Sequence, residues 1–120
     1  MDVNERTLPV GSPVMTRVED MLVAFSVAPT TGDESGGVAQ AVAAAVKVVR
    51  ESGLPHETTS MFTTIEGSWE ECFDVVRRAT DAVVAVAPRV SLVIKADIRP
   101  GFTGQLRAKV ERVEEILGGE

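Results

Sequence analysis

Apolar and polar positions change period several times along the chain, and each change marks an element. "MLVAFSVAP" at 21–29 is apolar on both faces and stops at Pro29, the pattern of a covered strand. "TTGDESGG" at 30–37 then reads as a loop entering a helix, with Ser35 as its N-cap. The helix is expected from about Val38 to Ser52. Val38, Val42, Ala45 and Val49 recur at helical spacing, Gln40, Lys47, Arg50 and Glu51 face water, and Gly53 is the stop. "PHETTSM" and "FTTIEG" are rich in β-formers and predict two strands in close succession, joined near Thr59 to Met61. Ser68, Trp69, Glu70 and Glu71 form a capping box at the start of a second helix. That helix carries Cys72, Val75, Ala79, Ala82, Val83 and Val86 on one face and the i,i+4 pairs Asp74–Arg78 and Arg77–Asp81 on the other, and it ends before Pro88. In "VSLVIKADIR" at 90–99, Leu92, Ile94, Ala96 and Ile98 share one strand face, while Ser91, Val93, Lys95, Asp97 and Arg99 share the other. After "PGFTG", Leu106, Val110, Val113 and Leu117 mark a third helix that Gly118 and Gly119 close.

The order is β-α-β-β-α-β with an added C-terminal helix. It predicts an α+β, ferredoxin-like domain over 21–120, with two helices on one face of a four-stranded antiparallel sheet. Residues 1–20 hold two prolines, show no period and read as a flexible extension. The opposite sheet face has no cover within the first 100 residues. It must meet water, the last helix or a second subunit.

Composition sharpens this picture. Hydrophobic residues make up 44%, which argues against global disorder, but only 4% of residues are aromatic and Val and Ala supply most of the core. Such a core favours further burial between subunits. A net charge of −6 without a run of Lys or Arg argues against a nucleic-acid partner. The apolar runs are too short to span a bilayer, and the N-terminus lacks a signal-peptide layout. One cysteine permits no internal disulfide, so a reducing cytoplasm is the expected location.

Candidate chemistry gathers in two stretches. Lys95, Asp97 and Arg99 form a charged stripe on one strand face, either a solvated surface or the polar lining of a groove between subunits. Thr63 and Glu66 lie on the third strand. A carboxylate before Gly67 is placed to bind an amino group or a cation, or to interact with the N-terminus of the helix that follows it. Trp69 either staples its helix or offers a ring to a flat or cationic ligand. "TTGDESGG" fits no phosphate-loop spacing, and Asp33 and Glu34 would repel an anion. One His and one Cys are too few for a metal set, no cofactor is expected, and no nucleophile–base pair is visible.

The stretches "MLVAFSVAP", "ESGL" at 51–54, "MFTTIEGSWEE" at 61–71, "IKADIR" at 94–99 and "KVERVEEIL" at 109–117 resemble the thiamine-binding protein family. The resemblance covers about residues 21 to 117. It implies a ferredoxin-like domain that assembles as dimers or tetramers and binds thiamine or its hydroxymethylpyrimidine moiety without catalysis. The positions it marks for the ligand are Thr63, Glu66, Trp69, Lys95, Asp97 and Arg99, with Ser26 on the first strand. The alternative is an oligomeric regulatory or scaffold module that uses the same face for another small molecule, an anion or a protein partner.

Overall fold

The computed structural model of the protein describes residues 20–30 and 37–118. The elements run β1 (Met21–Pro29), α1 (Gly37–Glu51), β2 (His56–Thr58), β3 (Thr63–Gly67), α2 (Trp69–Val84), β4 (Val90–Ile98) and α3 (Gln105–Gly118). The sheet is antiparallel with strand order β2-β3-β1-β4, so β1 is central and β4 is an edge. This is the ferredoxin-like arrangement expected from the sequence. The proposed Ser35 cap and most of "TTGDESGG" lie outside the described residues.

Alternation along β1 sorts the two faces. Met21, Val23, Phe25 and Val27 are buried against α1 and α2, and Ile65 of β3 joins them opposite Val23. From α2 come Cys72, Val75, Val76, Ala79 and Val83. From α1 come Ala41, Ala45 and Val49. The expected α1 stripe is therefore rotated. Val42 is 43% exposed and Ala41 takes the inward position. Alanine has no bulk beyond Cβ, so the Ala41–Ala45 side lets α1 approach α2 and β1 closely, while Val42 turns toward the β2–β3 turn. Val86, also expected inside, is exposed because α2 ends at Val84.

The turns follow local chemistry. The Thr59 hydroxyl accepts from the Met61 and Phe62 amides (both 3.2 Å), and the Thr59 amide donates to the Phe62 carbonyl (2.9 Å), closing the β2–β3 turn. At α2 both halves of the capping box are made. The Glu71 amide donates to Ser68 Oγ at 3.1 Å, and the Ser68 amide donates to Glu71 Oε1 at 2.9 Å. Gly67 fits tightly beside it, because a Cβ there would stand 3.0 Å from Glu71 Oε1 and 3.2 Å from Leu54 Cδ2. Both i,i+4 pairs on α2 form, Arg78–Asp74 at 2.9 Å and Arg77–Asp81 at 3.5 Å. Arg77 and Arg78 together hold the exposed Asp74 carboxyl below the usual aspartate range.

Helix α3 lies across the other face of the sheet and touches β3 and β1 through its first turns. None of its residues is buried, and Val110, Val113, Ile116 and Leu117 are at least half exposed. Most of the open face is thus left uncovered by the described residues.

Candidate functional site

Register assigns each side chain of the open face, because residues paired across strands point the same way. Leu22 of β1 sits between Glu66 of β3 and Asp97 of β4. The next row is Glu57, Thr64, Ala24 and Lys95. One row further, Ser26 pairs with Val93. Glu66 and Asp97 are therefore two strand spacings apart, about 10 Å, with Leu22 between them.

Helix α3 turns the first of these rows into a site. Gly104, with φ +67°, precedes the helix and has no side chain with which to cap it. Glu66 supplies the missing acceptor from another strand. Its Oε2 accepts from the Gln105 amide at 2.8 Å, and its Oε1 accepts from the Leu106 amide at 3.3 Å. Glu66 is 4% exposed, the one buried charged side chain among the described residues. Two successive amides thus meet one buried carboxylate. Asp20 stands close by, on the wall of a depression it shares with Gln105. Burial and the neighbouring Glu66 carboxylate push the Asp20 carboxyl up to about 6.

Beside this cluster lies a cavity of about 210 Å³ lined by Asp20, Leu22, Asp97, Arg99, Gln105 and Lys109, with the backbone of Met21 as its remaining wall. Lys109 reaches Asp97 Oδ2 at 3.4 Å. Arg99 lies over the Phe102 ring, 3.6 Å from its centroid, which fixes the guanidinium at the rim. Two acids and two bases therefore converge on one depression, with the buried Glu66 beneath it.

The residues marked in the sequence divide accordingly. Glu66, Asp97 and Arg99 come together. Lys95 is on the same face one row away and exposed, and Ser26 is on that face about 13 Å along β1 from Leu22. Thr63 does not join them. It pairs with Phe25 on the helix-covered side, because residues 63 and 66 are an odd number apart and a strand sends them to opposite faces. Thr63 instead lines a mixed cavity of about 110 Å³ between α1 and the β2–β3 turn, which Ser26 also borders. Trp69 also stands apart. It is 48% exposed on α2 and packs on Phe73, with ring centroids 4.7 Å apart. Asp20, Leu22, Gln105 and Lys109 were not marked in the sequence. The available signal was the bare Gly104 before α3, which demands an acceptor from elsewhere in the chain.

Fold and site together define a small ferredoxin-like α+β domain with a charged pocket on the open side of its sheet. Residues 23–114 match the family model described as thiamine-binding protein, and the chain belongs to that family. A UPF0045 protein of Mycobacterium bovis is 54% identical over 98 residues, 81% of this chain and 94% of its own. The solved structure of a domain of unknown function from Bacillus cereus superposes with a TM-score of 0.70 at 33% identity, covering 78% of this chain and 89% of that one. A Thermotoga maritima protein, described as a suggested thiamine biosynthesis/salvage protein, gives a TM-score of 0.65 at 24% identity over 78% of this chain and 99% of that one, a likeness of fold. Among the described residues no helix is long and apolar enough to cross a membrane.

Proposed function

We propose that this chain is a non-catalytic binding protein for thiamine or its hydroxymethylpyrimidine moiety, with the ligand held in the cavity between β1, β4 and the start of α3. The observation that carries the reading is the convergence of Asp20, Asp97, Arg99 and Lys109 on one depression of the open face. An aminopyrimidine presents an amino donor and ring-nitrogen acceptors. A carboxylate suits the first, and a guanidinium or ammonium suits the second. Family membership and the thiamine-related description of the Thermotoga relative support the same ligand class. A binding role without chemistry accords with the two remaining reactive side chains. The Cys72 thiol is fully buried and pushed up to about 12, chiefly by burial, and His56 is exposed with its ring bound to the Leu54 carbonyl.

At about 210 Å³ the cavity falls below the ~300–1,000 Å³ of sites that take drug-sized ligands, so a single chain accommodates one ring better than the whole of thiamine. A second copy would complete the enclosure. The nine-residue edge strand β4 exposes Leu92, Val93, Ile94 and Ile98, and such an edge invites pairing with another strand. A homodimer, or a tetramer built from two of them, is the assembly this reading requires. Isothermal calorimetry with hydroxymethylpyrimidine, thiamine and thiamine phosphates tests the ligand. Saturable heat with the first two supports the proposal, and no heat from any of them at millimolar concentration contradicts it.

A further inference from the structure

Helix α3 carries a surface that ligand binding leaves unused. It meets β1 and β3 through its first turns, and none of its residues is buried. Leu106, Val110, Val113 and Leu117 recur at spacings of four, three and four, the seam of a coiled coil. Val110, Val113 and Leu117 are 50%, 54% and 62% exposed, so the seam has no cover among the described residues beyond the partly buried Leu106. Between α3 and β2 runs a groove of about 510 Å³, bordered by His56 and Glu57 from the sheet and by Leu106, Arg107, Val110 and Glu114 from the helix.

An apolar stripe alone does not name its partner, but the charges beside this one do. Arg107 and Glu114 each follow a seam residue directly, so they lie on one flank of the seam, seven positions or about two turns apart. The ion pairs among the described residues include neither of them. We infer that α3 is an interface for a second copy of this chain, whose own α3 lies antiparallel along the seam. Val110 of each copy then meets the partner's Val113, and Leu106 meets the partner's Leu117. The charged flank meets itself reversed. A two-fold interface makes every contact twice, so Arg107 of each copy faces the partner's Glu114. A parallel pair would instead set Glu114 against the partner's Lys109, and Lys109 is already held by Asp97 at 3.4 Å. The helix has 14 residues, a length of about 21 Å, so the contact is weak and adds to other pairing. It shares no residue with the β4 edge and does not depend on the ligand, so its failure would leave both of those proposals standing.

Sedimentation equilibrium of the full-length protein tests this, in an Ile94→Lys background that weakens pairing through β4. The background protein should still associate through α3. Arg107→Glu makes the flank wholly acidic and Glu114→Arg makes it wholly basic. Each alone should raise the dissociation constant about tenfold, the sum of two attractions lost and two repulsions gained. The double variant exchanges the two charges and should associate as the background protein does. An equimolar mixture of the two single variants should form mixed pairs in preference to either self-pair, read by native mass spectrometry. A background protein that stays monomeric at every concentration, single variants that associate undiminished, or a double variant and mixture that both stay dissociated would each overturn the interface. Undiminished association would mean that contacts other than α3 hold the copies together.

Discussion

At position 66 a carboxylate is almost wholly removed from water, and two backbone amides of a distant helix account for it. Leaving those amides without a partner costs about 1–3 kcal/mol in a buried setting. Glu66→Ala is therefore expected to fray the start of α3, read as lost helical circular dichroism and lost protection at Gln105 and Leu106, while the sheet and α1–α2 layer stay folded. Gly67 illustrates a second constraint at this scale. Gly67→Ala forces Glu71 or Leu54 to move and should destabilise by about 1–3 kcal/mol in chemical denaturation, the range of overpacked sites. Cys72 gives a third expectation. Buried, and with its thiol held neutral, it should react with a thiol reagent only as fast as the protein unfolds. What was legible in individual residues was mostly face parity. Lys95, Asp97 and Arg99 follow the period of two and fall on the open face together, whereas Thr63 fails the same test against Glu66. The role of Glu66 was not legible, because its partners are backbone groups 39 and 40 positions away that no side-chain pattern reveals.

Elements were easier to read than residues. The capping box at Ser68 and Glu71 names the start of α2 in the sequence, and both of its hydrogen bonds are present. Ser68→Ala should cost about 1 kcal/mol, the usual loss for an N-cap, measured as a shifted denaturation midpoint at unchanged slope. The β2–β3 turn falls where the β-rich runs meet, although Thr59 organises it in place of an Asn-Gly pair. The rotation of α1 was hidden because Val and Ala both count as apolar. Periodicity ranks the larger residue as the inward one, and close helix packing selects the smaller. For α3 the apolar positions repeat as in a buried helix, yet they remain exposed in the single chain. Such a stripe shows that a helix has a side to cover, not what covers it.

Among the described residues, α1 and α2 cover one sheet face over β1 and β3 while leaving β4 exposed, and the other face is met by the start of α3. The uncovered area, the exposed edge β4 and the shallow charged cavity lie on the same side of the fold or at its border. Association would bury all three. An Ile94→Lys substitution places a charge on the β4 edge strand and should shift the protein toward monomer in light scattering, with weaker ligand binding as a consequence. The element order and sheet topology were readable because period-two and helical stretches alternate cleanly. The pocket was not, since it is assembled from the start of β1, the end of β4 and α3, which adjoin only after folding. The central claim is that a pyrimidine ligand enters this pocket, and amide-resolved NMR of the labelled full-length protein titrated with hydroxymethylpyrimidine tests it most directly. The account predicts saturable shifts centred on Leu22, Asp97, Arg99, Gln105 and Lys109; saturating ligand that leaves these amides unmoved, or shifts only those around Phe62 and Val42, would contradict it.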